Sequence, residues 1–196
     1  MRIRIPAAAV AVMLVALFTV SCVDPPDKEM QQARGALDAA RAAGADQYAA
    51  DEYNAAALAL ERSREAVTQR DYRLALSQAL ESRERAQNAA RLAADQKAVV
   101  GAEVERTLAA LETELDACAA TLRAGLAARV SAKALAPLQQ ALPAARSSMQ
   151  KARTATGRHQ YLAARAELLG LLDRVAKTRG ELEAAIDARQ GKPARR

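Results

Sequence analysis

Residues 104–126 read VERTLAALETELDACAATLRAGL, and the spacing of their apolar side chains decides the fold class. Val104, Leu108, Leu111, Leu115, Cys118 and Leu122 follow one another in steps of three and four, with Gly125 and Leu126 close behind. That rhythm belongs to a helix seam in a coiled coil or bundle, and no strand can keep it on one face. As an apolar stripe, Val104 to Leu122 is a candidate self-association seam. Upstream, the helical pattern extends through an alanine-rich, charged middle (Ala86 to Ala94) to Leu80, Ala79, Leu76 and Leu74. If unbroken, residues 72–130 make a rod of about 90 Å at 1.5 Å per residue. Gly101 is the expected place for a bend.

Composition agrees. The chain has 196 residues, is 51% hydrophobic but only 3% aromatic, and its single Phe, Phe18, lies near the N-terminus. Roughly a quarter of the residues after position 22 are alanine, the best helix former. Val, Ile and Thr are sparse there, so sandwiches, barrels and doubly wound sheets are hard to build. The fold class is all-α: an antiparallel helical hairpin followed by a longer coiled-coil-like helical bundle.

The flanking segments extend the plan. Met30, Ala33, Leu37 and Ala40 mark a first helix, which Gly44 should end. Asp51 is the expected N-cap of a second, with Ala55, Leu58, Arg62 and Ala66 on successive turns. Gln69-Arg70-Asp71 then turns into the long helix. Ser131 to Pro137 reads as a connector, and Pro143 should kink or delay the helix that Gly157 closes. Tyr161, Ala164, Leu168, Leu172, Val175, Leu182 and Ile186 predict one last helix. An offset of 89 matches Leu60 with Met149, Arg64 with Arg153, Tyr72 with Tyr161, Ala75 with Ala164 and Arg85 with Arg174, suggesting an internal repeat. The organisation is therefore 1–21 leader, 22–28 tether, 29–100 hairpin domain, 101–189 bundle and 190–196 basic tail.

The leader has export chemistry. Arg2 and Arg4 precede an uncharged stretch from Ile5 to Val20, too short for a spanning helix, which needs about 20 residues. Leu17-Phe18-Thr19-Val20-Ser21-Cys22 resembles a bacterial lipobox, with Thr19 where Leu is usual. The resemblance implies cleavage before Cys22, its lipidation, and near-permanent attachment to a bilayer through several acyl chains. Val23 in place of Asp after the Cys implies, by the same resemblance, the outer membrane facing the periplasm. The mature chain would have 175 residues with 27 basic and 23 acidic side chains, a formal +4 spread along its length. That is no nucleic-acid footprint.

A second resemblance rests on residues 40–53, ARAAGADQYAADEY, with the turn Arg70-Asp71-Tyr72-Arg73-Leu74-Ala75 and the ladder Ala79, Ala86, Ala90, Ala93. These are similar to a bacterial lipoprotein family known as domain of unknown function 4398. Ala50 stands where the family usually has Pro, and Arg70 where it usually has Gly. The resemblance implies an exported, often lipid-anchored helical hairpin and carries no catalytic residues. The Asp71-Tyr72 turn with Ala75, Ala79 and Leu80 also looks like the second helix of a tetratricopeptide repeat, without that repeat's period of 34.

Site chemistry is thin. His159, the only histidine, sits between Gly157-Arg158 and Gln160-Tyr161 and reads as an exposed turn. Cys118 falls on the seam as a small hydrophobe, or as the sulfur of an intermolecular disulfide. Glu103 with Glu105, and Glu112 with Glu114, point to different helix faces, so acid–base pairing is not expected. Glu61 with Arg64 and Glu65 with Arg62 are spaced as surface ion pairs. Tyr48, Tyr53, Tyr72 and Tyr161 all flank turns. Arg189, Lys192, Arg195 and Arg196 form a basic end suited to an anionic glycan such as peptidoglycan. No catalytic, cofactor-binding or metal residues are expected, and an enzyme is not. The expected role is a non-catalytic structural or adaptor protein of the cell envelope, acting through helix–helix contacts with a protein partner or a second copy. The alternative is a tetratricopeptide-like groove for a peptide or envelope protein.

Overall fold

The structure, a computed structural model, describes residues 24–191. The leader, Cys22 and the tail residues Lys192, Arg195 and Arg196 lie outside them. The described chain is all-α and without strands. Its helices are α1 (Asp27–Ala42), α2 (Ala45–Tyr48), α3 (Ala50–Thr68), α4 (Tyr72–Ala127), α5 (Ala132–Gly157), α6 (Tyr161–Leu168) and α7 (Leu171–Arg189). The chain divides into two compact units at Ala93–Ala94, where the sequence suggested residues 100 and 101.

The N-terminal unit packs α1, α3 and the first part of α4 as three helices. Ala33, Leu37 and Ala40 of α1 meet Ala56 and Leu60 of α3 and Ala86, Ala89 and Ala93 of α4 in one cluster. Alanine at the contact lets helix axes approach closely. The Ser63 hydroxyl donates to the Ala75 carbonyl, and that of Ser82 to the Ala56 carbonyl, both at 2.8 Å and buried. As residue numbers fall along α3 they rise along α4, so the two run antiparallel. The expected α3 face needs correction: Ala56, Ala59, Leu60, Ser63 and Ala66 are buried, while Leu58 is 52% exposed and Arg62 faces solvent. On α4, likewise, Ala75, Ala79 and Ser82 face inward and Leu74, Leu76 and Leu80 do not. Small residues fill most of this interior beside Leu37 and Leu60, and they permit close helix approach. Asp51 is not the cap; α3 starts a residue earlier behind Ala49, which makes no side-chain cap bond. The first helix also begins inside the expected tether, at Asp27, directly after a buried Pro26.

In the C-terminal unit α4 continues helical through Gly101 to Ala127. Arg153 of α5 bonds Glu112 of α4, and Gly125 lies against Leu135, so α5 runs antiparallel to α4. Tyr161 then meets Gly101, Arg179 meets Glu114 and Ile186 meets Gly125, so α6 and α7 run parallel to it. Two expectations fail locally. The connector is only Ala128–Ser131: Ser131 caps α5, its side chain accepting from the Ala134 N–H, and α5 runs on past Pro137 and Pro143. The predicted last helix is two, because Gly170 (φ +61°) turns the chain between Leu168 and Leu171.

Three turns share one geometry. The N–H groups of Arg70 and Asp71 bond the carbonyls of Val67 and Ala66; Arg129 and Val130 bond Leu126 and Gly125; His159 and Gln160 bond Thr156 and Ala155. Each is a Schellman motif, and each puts a non-glycine residue in the left-handed region: Arg70 at +58°, Arg129 at +54°, His159 at +58°. Arg70 and His159 are separated by the same 89 residues as the sequence repeat.

Candidate functional site

The seam read from the sequence is a core. Val104, Leu108, Leu111, Leu115 and Cys118 are buried within the single chain, and Leu122 is half-buried. Their cover comes from α5, α6 and α7, so the stripe offers a second copy no free surface. A heptad records only that a helix face is covered; whether the covering helix belongs to the same chain depends on how the chain turns back.

Beside this core lies the densest polar cluster of the unit. The Arg179 Nε donates to Glu114 Oε1 at 2.6 Å, and its Nη1 to Glu183 Oε1 at 2.5 Å. The Thr121 hydroxyl donates to Glu183 at 3.3 Å, and the Cys118 thiol faces Glu114 at 3.8 Å. Glu114, at 15% side-chain exposure, is the most enclosed carboxylate of these pairs. Burial pushes the Cys118 thiol up to about 11, and the neighbouring Glu114 carboxylate adds to the shift. A thiol held neutral is a poor nucleophile and a poor metal ligand. The cluster ties α7 to α4 through Glu114, Thr121 and Arg179.

The tyrosines sit where expected, each at or beside a turn and half-buried. Tyr161 opens α6, its ring lies over Gly101, and its hydroxyl is 3.1 Å from His159 Nδ1. A Cβ at Gly101 would come within ordinary contact distance of that ring, about 3.4 Å. His159 itself is exposed. An open cleft of about 420 Å³ lies here, lined by Lys97, Gly101, Glu105, His159 and Tyr161. In the N-terminal unit the Arg41 guanidinium stacks over Tyr53 at 5.7 Å.

Of the expected surface pairs, Glu61 and Arg64 are bonded at 2.5 Å, whereas Glu65 accepts from Gln69. The acidic neighbours diverge as expected: Glu103 reaches Arg165, Glu112 Arg153 and Glu114 Arg179. Among the described residues no three His, Cys, Asp or Glu side chains are placed to hold a metal, and no helix is long and apolar enough to cross a membrane. Compared with protein-family models, curated proteins and solved structures, the chain matches none.

Proposed function

We propose that this chain is a lipid-anchored cell-envelope protein with a non-catalytic, structural or adaptor role on the periplasmic side of the outer membrane. The observation that carries the reading is the leader, with Arg2, Arg4, the uncharged run to Val20, and Ser21-Cys22 at its end. Support comes from the body behind it: helices joined by tight turns, cores of alanine and leucine, and a polar cluster that locks helices together. Because the Val104–Leu122 stripe is buried, partners would meet other surfaces, such as the exposed Leu74, Leu76 and Leu80 of α4. The second reading, a tetratricopeptide-like module for a peptide or envelope protein, draws on the recurrence of one hairpin turn at Arg70 and His159. Fractionation of cells producing the wild type and Cys22→Ala tests the anchor. Wild type should follow the membranes and the variant the soluble fraction; retention of the variant would refute lipid anchoring. Crosslinking and pull-down of the anchored protein would then identify its partner.

A further inference from the structure

From Ala117 to Ala166 the chain has eight Lys and Arg and not one Asp or Glu. The excess positive charge is therefore not spread along the chain. From Cys22 onward, the rest carries 19 basic against 23 acidic side chains, so this stretch supplies the whole surplus. Four of the eight, Lys133, Arg146, Lys151 and Arg153, lie on one helix, α5, with Arg158 in the turn that follows. Leu135, Leu138, Leu142, Ala145 and Ala152 face the core. On the opposite side Lys133, Gln140, Ser147 and Lys151 recur at steps of seven, seven and four, all exposed. Arg153 is neutralised by Glu112, but Lys133, Lys151 and Arg158 make no ion pair among the described residues. Lys133 also stands in the first turn of α5, where the helix dipole disfavours a cation and no acidic residue compensates it. An external anion would relieve the dipole conflict at Lys133 and meet unpaired cations further along the same face.

The character of the face selects the anion. Insertion into a bilayer interface needs exposed apolar side chains beside the basic ones. Between Leu126 and Leu169 no large apolar side chain is exposed. Stacking on single-stranded bases needs aromatic rings, and α5 has none. What remains is a flat array of cations, amides and hydroxyls, suited to a hydrated chain bearing carboxylates and hydroxyl groups. We infer that the outward face of α5 docks an anionic, carboxylate-bearing glycan of the cell-wall type. This deepens the adaptor reading by naming a partner for the C-terminal unit, and rests on the exported location in that reading.

The test is co-sedimentation of the detergent-solubilised full chain with purified, insoluble peptidoglycan, with duplex DNA and anionic phospholipid vesicles as competing probes. Replacing Lys133, Lys151 and Arg158 together by Gln should lower the bound fraction about fivefold, and raising salt from about 0.05 to 0.5 M should do likewise through screening. Replacing the exposed Arg34, Arg62 and Arg73 of the N-terminal unit by Gln removes equal charge and should change binding less than about twofold. Circular dichroism verifies that both variants fold. Equal losses in the two variants, no loss in either, or stronger binding to DNA or vesicles than to peptidoglycan would overturn the inference. Acylation plays no part in this assay, so failure of the anchor in cells and failure of glycan binding are separate results.

Discussion

Arg179 of α7 donates its Nε hydrogen to Glu114 of α4 at 2.6 Å, across 65 positions of sequence, and the same guanidinium holds Glu183. Removing the arginine strands a carboxylate that is only 15% exposed. Arg179→Ala should therefore cost about 1–3 kcal/mol in urea unfolding, because an unmet charged group keeps its desolvation penalty. Arg153→Ala, which breaks a pair open to solvent, should cost less than about 1 kcal/mol. Equal costs would show that the Arg179 cluster is not a lock.

Backbone strain at the turns predicts a gain. Arg70 occupies a left-handed position at φ +58°, where a glycine escapes the Cβ clash. Arg70→Gly should be neutral to stabilising by up to about 1 kcal/mol, and Arg70→Val should destabilise. Thermal melts of the two variants give the sign directly.

The alanine interior predicts intolerance of size. Ala86 is fully buried between α1, α3 and α4. Ala86→Leu should cost about 1–3 kcal/mol or unfold the unit, because the helices must separate to admit it. Leu58→Ala, at a half-exposed site, should stay within about 0.5 kcal/mol. Chemical denaturation of both checks that Ala86 of α4 lies inside and Leu58 of α3 outside.

Cys118 predicts a pH dependence. Its folded thiol ionises near 11, above the ordinary thiol range near 8.5 in the unfolded chain. The unfolded state therefore loses the proton first. The stability from keeping the thiol neutral is complete below about 8.5 and is lost as pH rises through the folded value. The difference in melting temperature between wild type and Cys118→Ala should shrink from pH 8 to 11. With Cys22 replaced by Ser, native Cys118 should also alkylate roughly 100-fold more slowly at pH 8 than in denaturant.

Much of this architecture was legible in the residues. The Gln69–Asp71 turn, the end of α1 at Gly44, the close of α5 at Gly157 and the buried run from Val104 to Cys118 all follow from periodicity and capping chemistry. The errors share a cause. Leu58, Leu74, Leu76 and Leu80 carry the helical pattern in the sequence together with Ala79, yet the structure leaves the leucines exposed and buries Ala79 with Ala56, Ser63 and Ser82. Hydroxyls that bond a facing carbonyl behave as interior residues, and no single-helix pattern announces them. Ser131 to Pro137 reads as a connector and Pro143 as a kink or delay, although packing on Leu135, Leu138 and Leu142 keeps α5 helical through both prolines.

The sequence by itself determined that the chain is helical, where most helices end, and which stripe of α4 is covered. It also holds the leader chemistry and the acid-free run on which the functional proposals rest. Only the tertiary structure decided what covers the stripe. The Schellman turns at Arg129 and His159 fold α5 and α6 back onto α4, so the apolar seam is filled from within. The reason is physical: a heptad specifies burial, but short turns hold neighbouring helices of one chain at so high an effective concentration that no separate chain competes. The same folding turned the charged side of α5 outward, leaving Lys133 and Lys151 without an ion-pair partner among the described residues, while Arg153 reaches Glu112.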